Sequence, residues 1–289
     1  MYSNVNKKTI MERVHPIGRR LDYEISDKIA SYKFDGVYLL KETKRYYPYN
    51  KLLSHSIGFV GVDNQGLAGL ELIYDDYLKS SYGAIKYFSD AKGNKLNLEE
   101  VYVSPNNGMN MTLTINIDIQ SALERELDNA MIKYNPDHAL GIVMDPNSGE
   151  ILAISARPNF DPENYKNYSN EDINRNLPIW MTYEPGSTFK IITLATALEE
   201  KLVDLYNDHY YDSGSVKVSG ATIHCWRHGG HGMQTYLEVV QNSCNPGFVS
   251  LGLKIGKEKL FEYIKNFGFG EKTGIDLNGE SKGILFNVD

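Results

Sequence analysis

Glu184-Pro185-Gly186-Ser187-Thr188-Phe189-Lys190 runs directly into Ile191-Ile192-Thr193-Leu194-Ala195-Thr196-Ala197-Leu198, and no other stretch restricts the fold as much. The second segment is apolar around most of a helical circumference, which predicts a helix buried in a core. Pro185 and Gly186 stop the preceding chain, so Ser187 falls in the first turn, near unsatisfied backbone N–H groups and the positive end of the helix dipole. Lys190, three residues on, returns to the same face, within reach of the Ser187 hydroxyl. A lysine is charged at neutral pH unless desolvation or nearby positive charge lowers its pKa, and a buried helix start supplies both. Lys190 could then accept the Ser187 proton, which makes a Ser/Lys nucleophile pair. Ser-x-x-Lys also occurs by chance, with the serine as an N-cap and the lysine on the surface. The Pro-Gly stop and the apolar helix set this instance apart.

A second element, Gln241-Asn242-Ser243-Cys244-Asn245-Pro246-Gly247, lies between segments expected to be helical over 235–240 and 248–255. In an extended bend Ser243 and Asn245 share one face and Cys244 points the other way. A hydroxyl beside an amide suits proton relay and the holding of a substrate amide, although Ser and Asn are also ordinary turn and cap residues.

The 289 residues are 42% hydrophobic and 23% charged, enough apolar content for a sizeable core in one large or two ordinary domains. A formal charge of −7, from 37 acidic against 30 basic side chains, argues against a nucleic-acid partner. No run approaches the roughly 18–20 apolar residues of a membrane span, and the N-terminus has no signal-peptide core. Residues 1 to about 100 are polar, Tyr-rich and broken by turn signals, as in a non-catalytic module. Within them, His55–Gly61 reads as a short strand, Gly66–Leu78 as a helix and Asp90–Lys95 as a hairpin turn. Further on, Asn110–Ile115 alternates like a strand. Ile117–Met131 carries apolar residues at helical spacing, and two buried strands flank the turn Pro146–Glu150. That order predicts an α+β fold.

Ser187-x-x-Lys190 followed by Ser243-x-Asn245 resembles the penicillin-binding proteins. The flanking Tyr183-Glu184-Pro185-Gly186, the segments 110–120 and 145–153, Arg157-Pro158, and 268–270 through 279–280 are similar to the transpeptidase domain of that family. Tyr46-Tyr47-Pro48, 55–61 and 66–78 are similar to the pedestal of its class B, monofunctional members, and 219–247 is most like sporulation members of that class.

The resemblance implies a penicillin-binding/serine β-lactamase-like transpeptidase domain over 106–289, an antiparallel sheet with helices on both faces, incomplete at its C-terminus. An elongated N-terminal pedestal of the dimerisation type would occupy 1–105. It implies a D,D-transpeptidase that cross-links peptidoglycan stem peptides, in spore cortex synthesis, and that β-lactams acylate. Ser187 would be the nucleophile, with its own N–H as one oxyanion donor. Lys190 would be the base, Ser243 a proton relay and Asn245 the group that orients the acyl donor. A membrane-embedded glycan polymerase would be the partner, and an N-terminal anchor absent here would hold the domain outside the cell membrane. Alternatives are a β-lactam-binding sensor or scaffold, and a serine β-lactamase or D,D-carboxypeptidase. The family's third motif, Lys-Thr-Gly, belongs far downstream of Ser-x-Asn. Lys272-Thr273-Gly274 comes too early, inside what the family carries as a structural turn, and is not assigned to catalysis. A longer, anchored protein is the expectation.

Asp212, His224, Cys225, His228, His231 and Cys244 are concentrated in one short region, and four of the seven His and both Cys fall between His209 and Cys244. Cys225 and His231, with Cys244 and Asp212, can close a tetrahedron around Zn²⁺. His231 is preferred to His228 because Gly229-Gly230 before it and Gly232 after it mark a constrained position. A ligand at Cys244 would anchor the Ser-x-Asn bend from behind. A Cys225–Cys244 disulfide, or Cys244 as a buried small hydrophobe, remain open at this point.

Overall fold

Contacts divide the chain into two units, Met1–Pro178 and Ile179–Asp289. The computed structural model describes residues 2–5, 8–11, 20–39, 43–81, 83–86, 88, 90 and 101–285. Among the described residues the strands pair antiparallel and in twos, so helix and sheet are mixed as the element order predicted. No helix among them is long and apolar enough to cross a membrane.

The first unit runs β1 (Tyr2–Val5), β2 (Lys8–Met11), α1 (Tyr23–Ser31), α2 (Ser54–Ile57), α3 (Gly69–Ile73), α4 (Asp75–Leu78), β3 (Ala84–Lys86), β4 (Val101–Val103), α5 (Ile117–Tyr134), β5 (Ala139–Met144), β6 (Ile151–Arg157) and α6 (Asn170–Asn174). Three local expectations fail here. His55–Gly61 is not a strand: Ile57 N and Gly58 N donate to Leu53 O and Ser54 O at 2.9 and 2.8 Å, and only Val60 bridges, to Gly66. Gly66–Leu78 is two short helices, because Tyr74 leaves the helical region at φ −106°, ψ 19° and Asp75 Oδ1 turns back to accept from Gly66 N at 2.7 Å. Asn110–Ile115 forms no ladder, since its end is held to β6 by the Thr114 hydroxyl on Ile151 O (2.7 Å) and by Asn116 N on Leu152 O (2.9 Å). The turn expected over Asp90–Lys95 lies, beyond Asp90, outside the described residues.

The β5–β6 hairpin and α5 follow the pattern in the sequence, but their interface does not. Asn116 caps α5 by accepting from Asp118 N and Ile119 N. The face it buries is Gln120, Glu124 and Leu127, while Ile119, Leu123 and Met131 are only half-buried. Gln120 accepts from Ile154 N at 2.9 Å and donates to Ile154 O at 3.1 Å, so a side-chain amide completes the outer edge of β6. Arg157 donates to Glu124 O and Oε2, to Ser155 Oγ and to Asp128, and Glu124 Oε1 accepts from Leu53 N at 2.8 Å. Buried polar groups are tolerated when each finds a partner, and this network supplies them.

The second unit continues from α7 (Leu177–Trp180), which straddles the boundary. A 3₁₀ turn (Gly186–Phe189) leads into α8 (Lys190–Glu199), followed by β7 (His209–Asp212), β8 (Ser215–Val218), β9 (Ala221–His224), β10 (Gly232–Thr235), α9 (Tyr236–Gln241), α10 (Asn245–Ile255) and α11 (Lys257–Asn266). Its core gathers Ala197, Val203, Tyr236, Val239, Phe248, Leu251 and Ile255 around both cysteines. Helix α8 contributes one face only: Ile192 and Ala197 are buried, whereas Ile191 is 66% exposed, so the helix is less enclosed than its composition predicted.

Replacing Gln120 by Met keeps the volume but strands the Ile154 N–H and C=O. The cost is expected to be about 1–3 kcal/mol per orphaned group, read as a lower urea midpoint. A midpoint equal to wild type would show that the Gln120 bonds contribute nothing.

Candidate active site

The second unit brings three of the four expected catalytic side chains into direct contact. Lys190 opens α8, and its Nζ donates to Ser243 O at 2.8 Å, Ser243 Oγ at 3.0 Å and Asn245 Oδ1 at 2.6 Å. These acceptors match the three protons of an ammonium group. The Phe248 ring lies 5.3 Å from Nζ. Burial lowers the Lys190 pKa from its ordinary value of 10.5, against an opposing pull from Cys244 and Cys225. Ser187 stands on the exposed 3₁₀ turn just before α8. Among the described residues no hydrogen bond joins its hydroxyl to Lys190, whose protons go to the bend.

Local packing explains the bend. Helix α9 starts with a capping box between Thr235 and Glu238, and ends where Ser243 N and Cys244 N donate to Val240 O and Val239 O. Ser243 takes φ +47°, left-handed and uncommon for a non-glycine residue, where the sequence suggested an extended bend. The outcome for the side chains is the same: Ser243 Oγ and Asn245 Oδ1 face Lys190, and Cys244 is fully buried on the opposite side. Asn245 begins α10 and is fixed by its Nδ2 bond to His224 O at 3.0 Å. The close approach of α10 to α9 requires Gly247, where a Cβ would lie 2.5 Å from Val239 Cγ1.

Behind the bend, Asp212, Cys225, His231 and Cys244 each offer a ligand atom, all within 4.8 Å of one another. The two cysteines are unbridged. His231 Nδ1 is 3.0 Å from Asp212 Oδ2 and 3.2 Å from Cys225 Sγ, and Cys244 Sγ donates to Asp212 Oδ2 at 3.4 Å. His231 arrives because the loop folds back at Gly230, φ +78°, where a Cβ would lie 2.3 Å from Asp212 O. His228 and His224 are exposed and outside the group. Burial pushes the Cys244 thiol up to about 11 and raises that of Cys225. Burial also pushes the Asp212 carboxyl up, but bonds from Cys225, Gly214 N and His231 together hold it well below the usual carboxylate range. A carboxylate, an imidazole and two thiols in a buried cluster form a donor set that could hold a metal.

Lys272-Thr273-Gly274 lies in an irregular loop rather than a strand, with Thr273 N, Thr273 Oγ1 and Gly274 N all donating to the Glu280 carboxylate. Sequence reasoning missed Phe248, which helical spacing from Asn245 could have found.

Comparison with known proteins agrees with this geometry. The family model described as penicillin binding protein transpeptidase domain matches residues 139–288, and that of the penicillin-binding protein dimerisation domain matches 2–113. The chain is 54% identical over 290 residues to stage V sporulation protein D of Bacillus subtilis (strain 168), covering 100% of this chain and 45% of that protein. It is 29% identical over 272 residues to the peptidoglycan D,D-transpeptidase FtsI of Buchnera aphidicola subsp. Schizaphis graminum, covering 93% and 46%. The crystal structure of penicillin binding protein 3 from Mycobacterium tuberculosis complexed with ampicillin superposes with a TM-score of 0.72 at 27% identity, covering 84% of this chain and 50% of that one. The chain thus spans about half the length of the relatives it matches.

Proposed function

Because the chain belongs to the penicillin-binding protein transpeptidase family, we propose that it carries the acyl-transfer centre of a D,D-transpeptidase that cross-links peptidoglycan stem peptides. The observation that supports this most is the contact of Lys190 Nζ with Ser243 and Asn245, which joins the two motifs around one desolvated amine. Ser187 Oγ attacks the penultimate D-Ala carbonyl while Lys190, in its neutral form, takes the hydroxyl proton. D-Ala leaves, and a neighbouring stem amine accepts the acyl group. Ser243 relays a proton and Asn245 orients the acyl donor. The Ser187 backbone N–H is one donor to the oxyanion. The likeness to a stage V sporulation protein supports spore cortex as the polymer. A glycan polymerase as partner and a membrane-anchored, extracytoplasmic location belong to the same proposal. The family-model matches, 2–113 and 139–288, support the order pedestal then transpeptidase domain, for which 1–105 and 106–289 are the proposed bounds.

Zinc fits the cluster behind the bend: two thiols, one imidazole and one carboxylate are the donors it prefers, in number and kind. Bound there by Asp212, Cys225, His231 and Cys244, it would supply a structural cross-link that fixes Cys244 and with it the back of the Ser243–Asn245 bend.

Two measurements test these readings. Incubation with benzylpenicillin is expected to add the antibiotic's full mass to the protein as a long-lived covalent adduct, absent in Ser187→Ala. Rapid turnover would favour a β-lactamase, and no adduct would remove the nucleophile assignment. Since burial keeps both thiols protonated at neutral pH, zinc binding is expected to release about two protons per ion, so affinity rises with pH. Binding without proton release would show that the cysteines are not the ligands.

A further inference from the structure

The peptide between Asn242 and Ser243 is held at both ends. Its N–H, that of Ser243, donates to Val240 O at 3.0 Å, and its carbonyl, that of Asn242, accepts from Trp226 Nε1 at 2.7 Å. Asn242 closes α9, so its carbonyl is one of those that a helix end leaves without an intrahelical partner. The residue one turn on that would supply the partner is Pro246, which has no N–H. The indole therefore fills a place that the chain beyond the bend cannot. Trp226 is 68% exposed, so burial of its ring is not its main contribution. It follows β9 directly, and Cys225 N extends the β8–β9 pairing by donating to Gly214 O at 2.9 Å. The ring is also set edge-on against His231, 5.2 Å between centroids. Two residues earlier, His224 O accepts from Asn245 Nδ2 at 3.0 Å. The stretch His224–Trp226 thus grips the bend on both sides of Ser243 and Cys244.

We propose that Trp226 is a positioning residue of the acyl-transfer centre, its indole N–H fixing the Asn242–Ser243 peptide so that Ser243 keeps the left-handed backbone that turns both its oxygens toward Lys190. This rests on the acyl-transfer reading above and needs no metal. A serine at φ +47° is in a sparsely populated conformation, and it relaxes most easily by rotation of the peptide before it. With the N–H on Val240 O and the carbonyl on Trp226, that rotation breaks two hydrogen bonds; without the indole it breaks one. Ser243 supplies two of the three acceptors of Lys190 Nζ, its carbonyl at 2.8 Å and its hydroxyl at 3.0 Å. A displaced Ser243 would leave the amine with Asn245 Oδ1 alone and take the relay hydroxyl away from it. Trp226 acts through Asn242 and Ser243, so its effect falls on the chemical step.

The test is stopped-flow acylation of the chain by a chromogenic cephalosporin, which separates the dissociation constant of the first, noncovalent complex from the rate constant of acylation. Trp226→Phe keeps an aromatic ring against His231 and removes the donor. It is expected to lower the acylation rate constant about 10-fold, the effect of one hydrogen bond of ordinary strength, and to leave the dissociation constant unchanged. A wild-type rate constant in the folded variant overturns the role of Trp226. So does a loss confined to the dissociation constant, which would mean that the ring touches the antibiotic instead. Trp180 and Trp226 are the two tryptophans of the chain, so Trp180→Phe leaves a single indole N–H to follow by ¹⁵N NMR, and this serves if Trp226→Phe does not fold. That signal is expected to exchange slowly with D₂O despite the exposed ring, and to shift on acylation; exchange at the rate of free indole, or an unshifted signal, overturns the inference. A wild-type chain that forms no adduct removes the acyl-transfer reading and this inference together, an outcome distinct from a wild-type rate in Trp226→Phe, which removes the inference alone.

Discussion

Lys190 holds its ammonium group against three oxygen atoms of one bend, and the arrangement of the second unit follows from that contact. An ammonium drawn partly out of water must find acceptors for each proton. Ser243 supplies two and Asn245 the third, which obliges the intervening residue to face away. Cys244 is thereby driven into the core, and the left-handed backbone at Ser243 makes the reversal possible in so short a space. One bend therefore has two chemical faces: oxygen toward the amine, and sulfur toward Asp212, Cys225 and His231.

The sulfur face leaves polar atoms unpartnered where the oxygen face does not. An ionised Asp212, two thiols and an imidazole sit among Val239, Phe248 and Leu251, and the His231 Nε2 and Gln234 Nε2 atoms are orphaned among the described residues. Donors from Gly214 N, His231 and Cys244 already hold Asp212 as the anion, so what the cluster leaves unmet among the described residues is the two orphaned nitrogens. A divalent cation bound by the proposed set would act from behind the bend, on residues that touch no substrate, and its contribution to chemistry would be mechanical and electrostatic.

Much of the site was legible in the sequence because its determinants are local. Pro185-Gly186 fixes where the turn before α8 begins, spacing brings Lys190 to the Ser187 end of the helix, and Gly230 singles out His231 over His228. What was not legible depends on long-range pairing. The buried face of α5 is Gln120 and Glu124 because β6 presents them with backbone groups and Arg157, a match that a scan for apolar periodicity passes over. Asn110–Ile115 alternates as strands do, yet a threonine hydroxyl and a single backbone bond replace the ladder. The bonds that Trp226 and Gln234 make to Asn242, just before the bend, follow from no spacing in the sequence.

The central claim is that the bend and the burial around it leave Lys190 able to give up a proton and serve as a base. Its direct test is an NMR titration of lysine ¹³Cε resonances, with Lys190 assigned by Lys190→Arg. Desolvation lowers the folded-state pKa, so the Lys190 signal should reach its neutral form below pH 10.5. A midpoint at or above 10.5 would mean that the three oxygens stabilise the ammonium more than burial opposes it, and the amine could not then activate Ser187.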